Sequence, residues 1–168
     1  MYLTVRAIVL RVSEYNDRDA LLTVLTQNYG KLTIKARGLR RKNSPLIAPC
    51  QLLCYGEFTL FEYKGKYTIN EAHALELFQG LRRELTQLSL GSYFAQVTEL
   101  ISQEDMPNPE LQSLLLNCLY AMSSLGEPEN KVKAVFELRA ACLAGYTPEL
   151  FGCHICGSQT PDRFDLSQ

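Results

Sequence analysis

Near the end of the chain, "FGCHICGSQTPDRF" sets Cys153 and Cys156 three positions apart, with Gly157 behind them. Two thiolates on such a knuckle can hold one zinc ion, but a structural zinc site needs four ligands. A second pair is expected some 15–20 residues further on. Only twelve residues follow Cys156, and none is Cys or His. His154 adjoins Cys153 and is poorly placed to complete the same tetrahedron. His73, Cys50, Cys54, Cys118 and Cys142 are expected to be distant or buried. Cys153 and Cys156 are therefore half a metal site. No cofactor is expected in this chain, and zinc only in a full-length form that supplies a second pair.

The other concentration of chemistry is "IKARGLRRKNSPL" (34–46), which carries Lys35, Arg37, Arg40, Arg41 and Lys42 and no acidic residue. Phosphate recognition needs several cations on one exposed surface, because each neutralised phosphate releases counterions. Arginine adds planar, bidentate hydrogen bonding to phosphate oxygens. Lys31 joins the group, since it shares a side of the same extended run with Lys35. The bland alternative is a solvated, solubilising loop. Charge is also segregated at larger scale. Residues 1–42 hold nine Lys/Arg against three Asp/Glu, and the remainder eight against fifteen, within a net charge of −1. A basic front and an acidic back imply two faces with different partners.

Enzymatic readings fail on inventory. The chain has no Walker loop, no GxSxG and no HExxH. A zinc deaminase would need HxE with PCxxC, whereas His73-Ala-Leu-Glu76 and Gly152-Cys153 stand here. With two histidines and no clustered carboxylates, no catalytic residue is expected.

The elements that must position these groups follow from periodicity. "VRAIVLRV" (5–12) is rich in β-branched residues, and 19–38 places two apolar runs around Asn28-Tyr29-Gly30, where Asn and Gly suit a tight hairpin. Residues 50–72 repeat the scheme around Lys64-Gly65-Lys66. About five strands result, the third and fourth joined by a loop over 38–49 containing Pro45 and Pro49. So few residues cannot cover both faces of an open sheet, so a small closed barrel is expected, and an SH3-like barrel fits the same count. Exposed rings on it, with Tyr29, Tyr55, Tyr63 and Tyr67 as candidates beside Phe61, could stack single-stranded bases. Aromatics are also simply good strand formers.

From about residue 75 the apolar period turns helical, through Leu77, Phe78, Leu81, Leu85 and Leu88 to Ile101. Asn108-Pro109 predicts a capped second helix to about Leu125, and Asn130 to Ala144 a third, ending at Gly145. No apolar run approaches the roughly 18 residues that span a bilayer. The N-terminus has Arg6 and Arg11 inside its apolar stretch and no cleavage pattern, so no membrane association and a reducing cytoplasm are expected.

The order "AIVLRV…LLTVLTQNYGKLTIKARGLRRKNSP" followed by "FELRAACLAGYTPELFGCHICG" resembles the bacterial RecO family of DNA-repair proteins over essentially all 168 residues. The resemblance implies an α+β chain: an OB-fold β-barrel (1–78), a helical bundle domain (79–150) and an incomplete zinc-knuckle segment (151–168). It implies binding of single- and double-stranded DNA, annealing of complementary strands, and action with RecR on DNA coated by single-strand-binding protein (SSB). The outcome would be loading of RecA recombinase, in the bacterial cytoplasm at the nucleoid. By position, Lys35, Arg37, Arg40, Arg41 and Lys42 correspond to the basic segment implicated in DNA contact. The acidic SSB tail would dock on the helices in an apolar groove flanked by cations, with Lys131, Lys133 and Arg139 as candidates. Six contacts, Lys31 included, would give a log–log salt slope on single strands no steeper than about −4. Rival readings are an RNA-binding OB protein, an adaptor gripping acidic peptides, and a cytosolic zinc or thiol enzyme.

Overall fold

The computed structural model describes residues 1–149, 151–153 and 156–160. Five strands come first: β1 (Tyr2–Glu14), β2 (Ala20–Thr26), β3 (Gly30–Ala36), β4 (Tyr55–Tyr63) and β5 (Lys66–Glu76). They close into a barrel in the order β1-β2-β3-β5-β4, with β3 and β5 parallel and the other pairs antiparallel. This is the OB-fold expected from the family resemblance, and its crossover separates it from the SH3-like alternative. A helical part follows, so the α+β class holds.

Period-2 alternation sends Val5, Ala7, Val9, Leu22, Val24, Leu32, Ile34, Phe58 and Leu60 into the barrel. The β4–β5 turn has Lys64 and Gly65 both at positive φ (51° and 72°), as a two-residue hairpin of the primed type requires. At the β2–β3 turn only Gly30 is left-handed (φ 69°), so Asn28 does not share the role expected of it. The β3–β4 connection winds through turns that push Cys50 and Cys54 into the barrel interior and Leu53 the other way.

The helices are α1 (Leu85–Ile101), α2 (Pro109–Ser123) and α3 (Glu129–Leu143). The first begins later than its periodicity suggests. β5 runs on to Glu76, Phe78 adopts φ 47°, and Gln79–Arg82 form a single 3-10 turn. Leu77, Phe78 and Leu81 therefore belong to a strap rather than a helix. Gly80 presses that strap onto the Ser123 carbonyl at the end of α2, where no Cβ would fit. The two anticipated caps are present. Asn108 accepts from the Leu111 N–H at 3.0 Å, and past α3 Gly145 N donates to the Cys142 carbonyl and Tyr146 N to that of Ala141.

A second core joins the two parts. Ile8 and Leu10, on the outer side of β1, and Leu25 of β2 are buried with Phe94, Leu111, Leu115, Leu119 and Phe136. Phe94 and Phe136 stack at 4.0 Å. The helical part thus lies on the barrel's β1–β2 face, and this decides which surface is left for a ligand. No helix among the described residues is long and apolar enough to cross a membrane.

Candidate nucleic-acid interface

The six cations singled out from the sequence meet three different fates. Lys31 is half-buried, and its ammonium donates to the Glu99 carbonyl at 3.0 Å, in the last turn of α1 where backbone carbonyls collect partial negative charge. Lys35 lies 3.2 Å from Asp19 Oδ2 and 4.5 Å above the ring of Tyr15. Arg40 pairs with Glu14 at 2.9 Å and donates to the Asn16 carbonyl at 3.2 Å. Arg37, Arg41 and Lys42 are exposed, and their side chains make no ion pair or hydrogen bond among the described residues. The expectation of six equivalent phosphate contacts is corrected accordingly: three are free and three are engaged within the protein.

Two of the free residues face one space. Arg37 and Arg41 line a cleft of about 410 Å³ between the β3–β4 loop and β5, together with Asn43, Ser44 and Asn70. Two guanidinium groups with three neutral polar side chains make a surface suited to a phosphate or another oxyanion.

Asp19 sets the start of that loop. Its carboxylate accepts from the Gly38 N–H at 2.9 Å and from Asn16 Nδ2 at 3.1 Å, besides pairing with Lys35. These interactions, the Gly38 bond first, then Asn16 and Lys35, push its pKa down from 3.8 to about 2. Asn16 Oδ1 in turn accepts from the N–H groups of Arg18 and Asp19, and Arg40 N–H donates to the Arg18 carbonyl. The β1–β2 turn and the basic loop are thus clasped together. Sequence reasoning passed over Asp19, although Asn16-Asp17-Arg18-Asp19 carries the side-chain-to-backbone turn signal.

The aromatic candidates also divide. Tyr29 is exposed at the β2–β3 tip, beside a small cleft shared with Arg6 and Glu57. Tyr63 is 62% exposed, with the Lys64 ammonium 5.4 Å from its ring. Tyr55 is half-buried against the helical core, and Tyr67 against the barrel core, with its hydroxyl pKa raised chiefly by that burial. Tyr55 and Tyr67 are only partly exposed and pack against the two cores, so neither stands clear of the barrel as the stacking role would have it. A ring that the sequence reading did not weigh is Tyr2, 62% exposed and 5.2 Å from Phe61.

The cations proposed for an acidic peptide do not converge. Lys131 pairs with Glu127, just before α3, and Lys133 with Glu137, one turn further along α3. Lys133 lines a groove of about 760 Å³ between α1 and α3, whose wall is Leu85, Leu90 and Tyr93 but also Glu129 and Glu137. Arg139 lines a different cleft, with Glu110 and Leu114 of α2. An apolar groove exists, but its rim is not the cationic one that an acidic tail requires. Glu137 is held below the usual carboxylate range by the Tyr93 hydroxyl, at 2.8 Å, and by Lys133, so it stays ionised at neutral pH.

At Cys153, Gly157 N–H donates to the Cys153 carbonyl and Cys153 N–H to that of Ser158, both at 2.8 Å. No group of three or more His, Cys, Asp or Glu side chains that could hold a metal occurs among the described residues. His154 and most of the segment 151–168 lie outside those residues.

Models of two protein-family regions match the chain: the N-terminal region of recombination protein O over residues 1–78 and its C-terminal region over 82–168. DNA repair protein RecO of Acetivibrio thermocellus is 34% identical over 166 residues, 99% of this chain and 66% of that protein. The protein of the same name from Alkaliphilus metalliredigens is 30% identical over 167 residues, 99% of this chain and 68% of its own length. That from Halalkalibacterium halodurans is 30% identical over 169 residues, 100% of this chain and 66% of its own length. The chain spans about two thirds of the length of the curated relatives it matches.

Proposed function

The chain belongs to the RecO family of DNA repair proteins, and from that premise we propose that it is a DNA-binding recombination mediator with no chemistry of its own. The observation that carries the reading is the trio Arg37, Arg41 and Lys42, exposed on the rim of an OB barrel and with no internal partner among the described residues. Cations so placed hold DNA backbones. With phosphate repulsion reduced, two complementary strands approach while their bases remain free to pair. That is annealing by charge neutralisation. Together with RecR it would act on SSB-coated single strands and lead to RecA loading. Zinc would enter only where a longer chain adds two ligands to Cys153 and Cys156.

Three free cations sharpen the electrostatic expectation. These three should contribute about −2 to the log–log salt slope of single-stranded DNA binding, and the six cations together about −4 only if Lys31, Lys35 and Arg40 exchange their protein partners for phosphates. Replacing Arg37, Arg41 and Lys42 together by Ala should flatten the slope by about 2 and leave the circular dichroism spectrum intact. An unchanged slope and affinity in that variant would remove the basic loop from the function. Strand annealing followed with labelled oligonucleotides should fall in parallel with the slope.

A further inference from the structure

Small OB barrels commonly take oligonucleotides across the outer face of β2 and β3. Here much of that face is occupied. Gln112 of α2 donates to the Leu25 carbonyl at 2.8 Å, and Lys31 is drawn to the end of α1. Arg11, on the neighbouring strand, reaches Thr23 of β2 at 3.2 Å and pairs with Glu99 of α1 at 2.9 Å. A strand laid over the barrel must take another course.

The other side of the barrel is open. Tyr2 stands opposite Phe61, Phe61 opposite Thr68, and Thr68 opposite Lys35. Their neighbours Leu60, Ile69 and Ile34 fill the interior, so these four form one outward row across β1, β4, β5 and β3. With strands about 4.8 Å apart the row is about 14 Å long. Tyr2 and Phe61 are 62% and 41% exposed, and their rings meet at 55°, an angle that fixes them without hiding one ring flat against the other. Tyr63 lies two residues beyond Phe61 on the same side. Lys64 and Lys66, at the β4–β5 turn, border one side of the row and Arg37, just past β3, the opposite side, all exposed and without an ion pair among the described residues.

Rings in water bordered by unpaired cations complement an occupant with apolar flat faces on a polyanionic chain. We propose that this row seats the unpaired bases of a single strand, stacked on Tyr2 and Phe61, with the backbone held by Lys64 and Lys66 at one margin and Arg37 at the other. The assignment rests on the DNA-binding reading above and names the surface that tells single strands from duplex, whose bases are stacked within the helix.

The chain contains no Trp, so Phe61→Trp places a lone reporter in the row. Oligothymidylate should quench its emission, while an abasic oligomer of equal length binds, by anisotropy, without quenching. Replacing both Tyr2 and Phe61 by Ala should weaken oligothymidylate binding by on the order of tenfold per ring. Duplex affinity and the salt slope should stay as in the parent, and Tyr2→Phe should bind normally. If the parent protein binds no oligonucleotide at all, the DNA-binding reading falls and takes this one with it. If the parent binds through the basic loop but the double Ala variant matches it and the Trp is not quenched by bases, the row alone is disproved. A Trp signal that follows protein concentration without DNA would make the face a contact between copies and overturn the assignment.

Discussion

The barrel's two outer sides are built from the same kind of alternating strand and have opposite fates. On the β1–β2 side, Ile8, Leu10 and Leu25 point outward and are buried by helices, with Gln112, Lys31 and Arg11 tying polar groups across the seam. On the β5–β4–β1 side, Tyr2, Phe61 and Tyr63 also point outward and stay in water. An outward position on a strand is therefore not yet a binding position. What matters is whether a later element folds back over it. The same holds for charge along β3 and just past its end, where Lys31 and then Lys35 precede Arg37: the first is taken by a helix end, the second by a turn carboxylate, and the third is left free among the described residues.

The comparison breaks most severely at the hinge of the covered side. Gly30 has φ 69°, and a Cβ there would run into the backbone of Met106, in the link between α1 and α2. Gly30→Ala combines left-handed strain with a backbone clash and should cost roughly 2–5 kcal/mol, read as a lower urea midpoint. Gln112→Met keeps the volume but removes the buried bond to the Leu25 carbonyl, for a loss of about 1–2 kcal/mol. On the open side, Tyr2→Ala should change stability by no more than about 0.5 kcal/mol. Equal losses for Gln112→Met and Tyr2→Ala would erase the distinction between the faces.

A smaller effect separates the engaged cations from the free ones. Arg41→Ala should flatten the single-strand salt slope by about 0.7, the share of one phosphate contact. Lys31→Ala should leave the slope where it was, because its ammonium is committed to the Glu99 carbonyl. A loss of slope in the Lys31 variant equal to that in the Arg41 variant would mean that α1 releases this lysine to DNA.

What the sequence made legible was local. The Lys64-Gly65 turn, the Asn108 cap, the Gly145 stop and the alternation of β1 to β5 each depend on residues within a few positions of one another, and the family resemblance added the barrel's order. What it hid was set by distant partners. Lys31 meets an atom 68 positions away, and the Gln112 partner is 87 away. Tyr55 and Tyr63 share β4 and its outward side, yet the helices cover only the first. The helical period from 75 to 84 was equally deceptive, since Leu77, Phe78 and Leu81 are spaced for burial and are buried, but in a strap. Periodicity reports which residues leave water, and a strap with Gly80 pinned on α2 satisfies that as well as a helix does.

Asp19 offers the finest test, because it links the clasp to the free cations. Its carboxyl has a folded pKa of about 2 against an ordinary 3.8, so below neutral pH the unfolded chain binds the proton first. Its stabilising contribution is present in full above about pH 4, declines as pH falls toward 2, and is gone below that. Glu137 is also held below the usual carboxylate range, so the signal lies in the difference between the parent and Asp19→Asn. Urea midpoints of the two should differ most at neutral pH and converge as pH falls to about 2. At neutral pH the substituted amide still offers an oxygen to the Gly38 N–H but no charge to Lys35. The released ammonium, on the outward side of β3, should then steepen the single-strand salt slope by about 0.7. A variant that loses stability uniformly at every pH, with the parent's slope, would mean that the carboxylate acts through shape alone and that Lys35 is not a held-back member of the cationic surface.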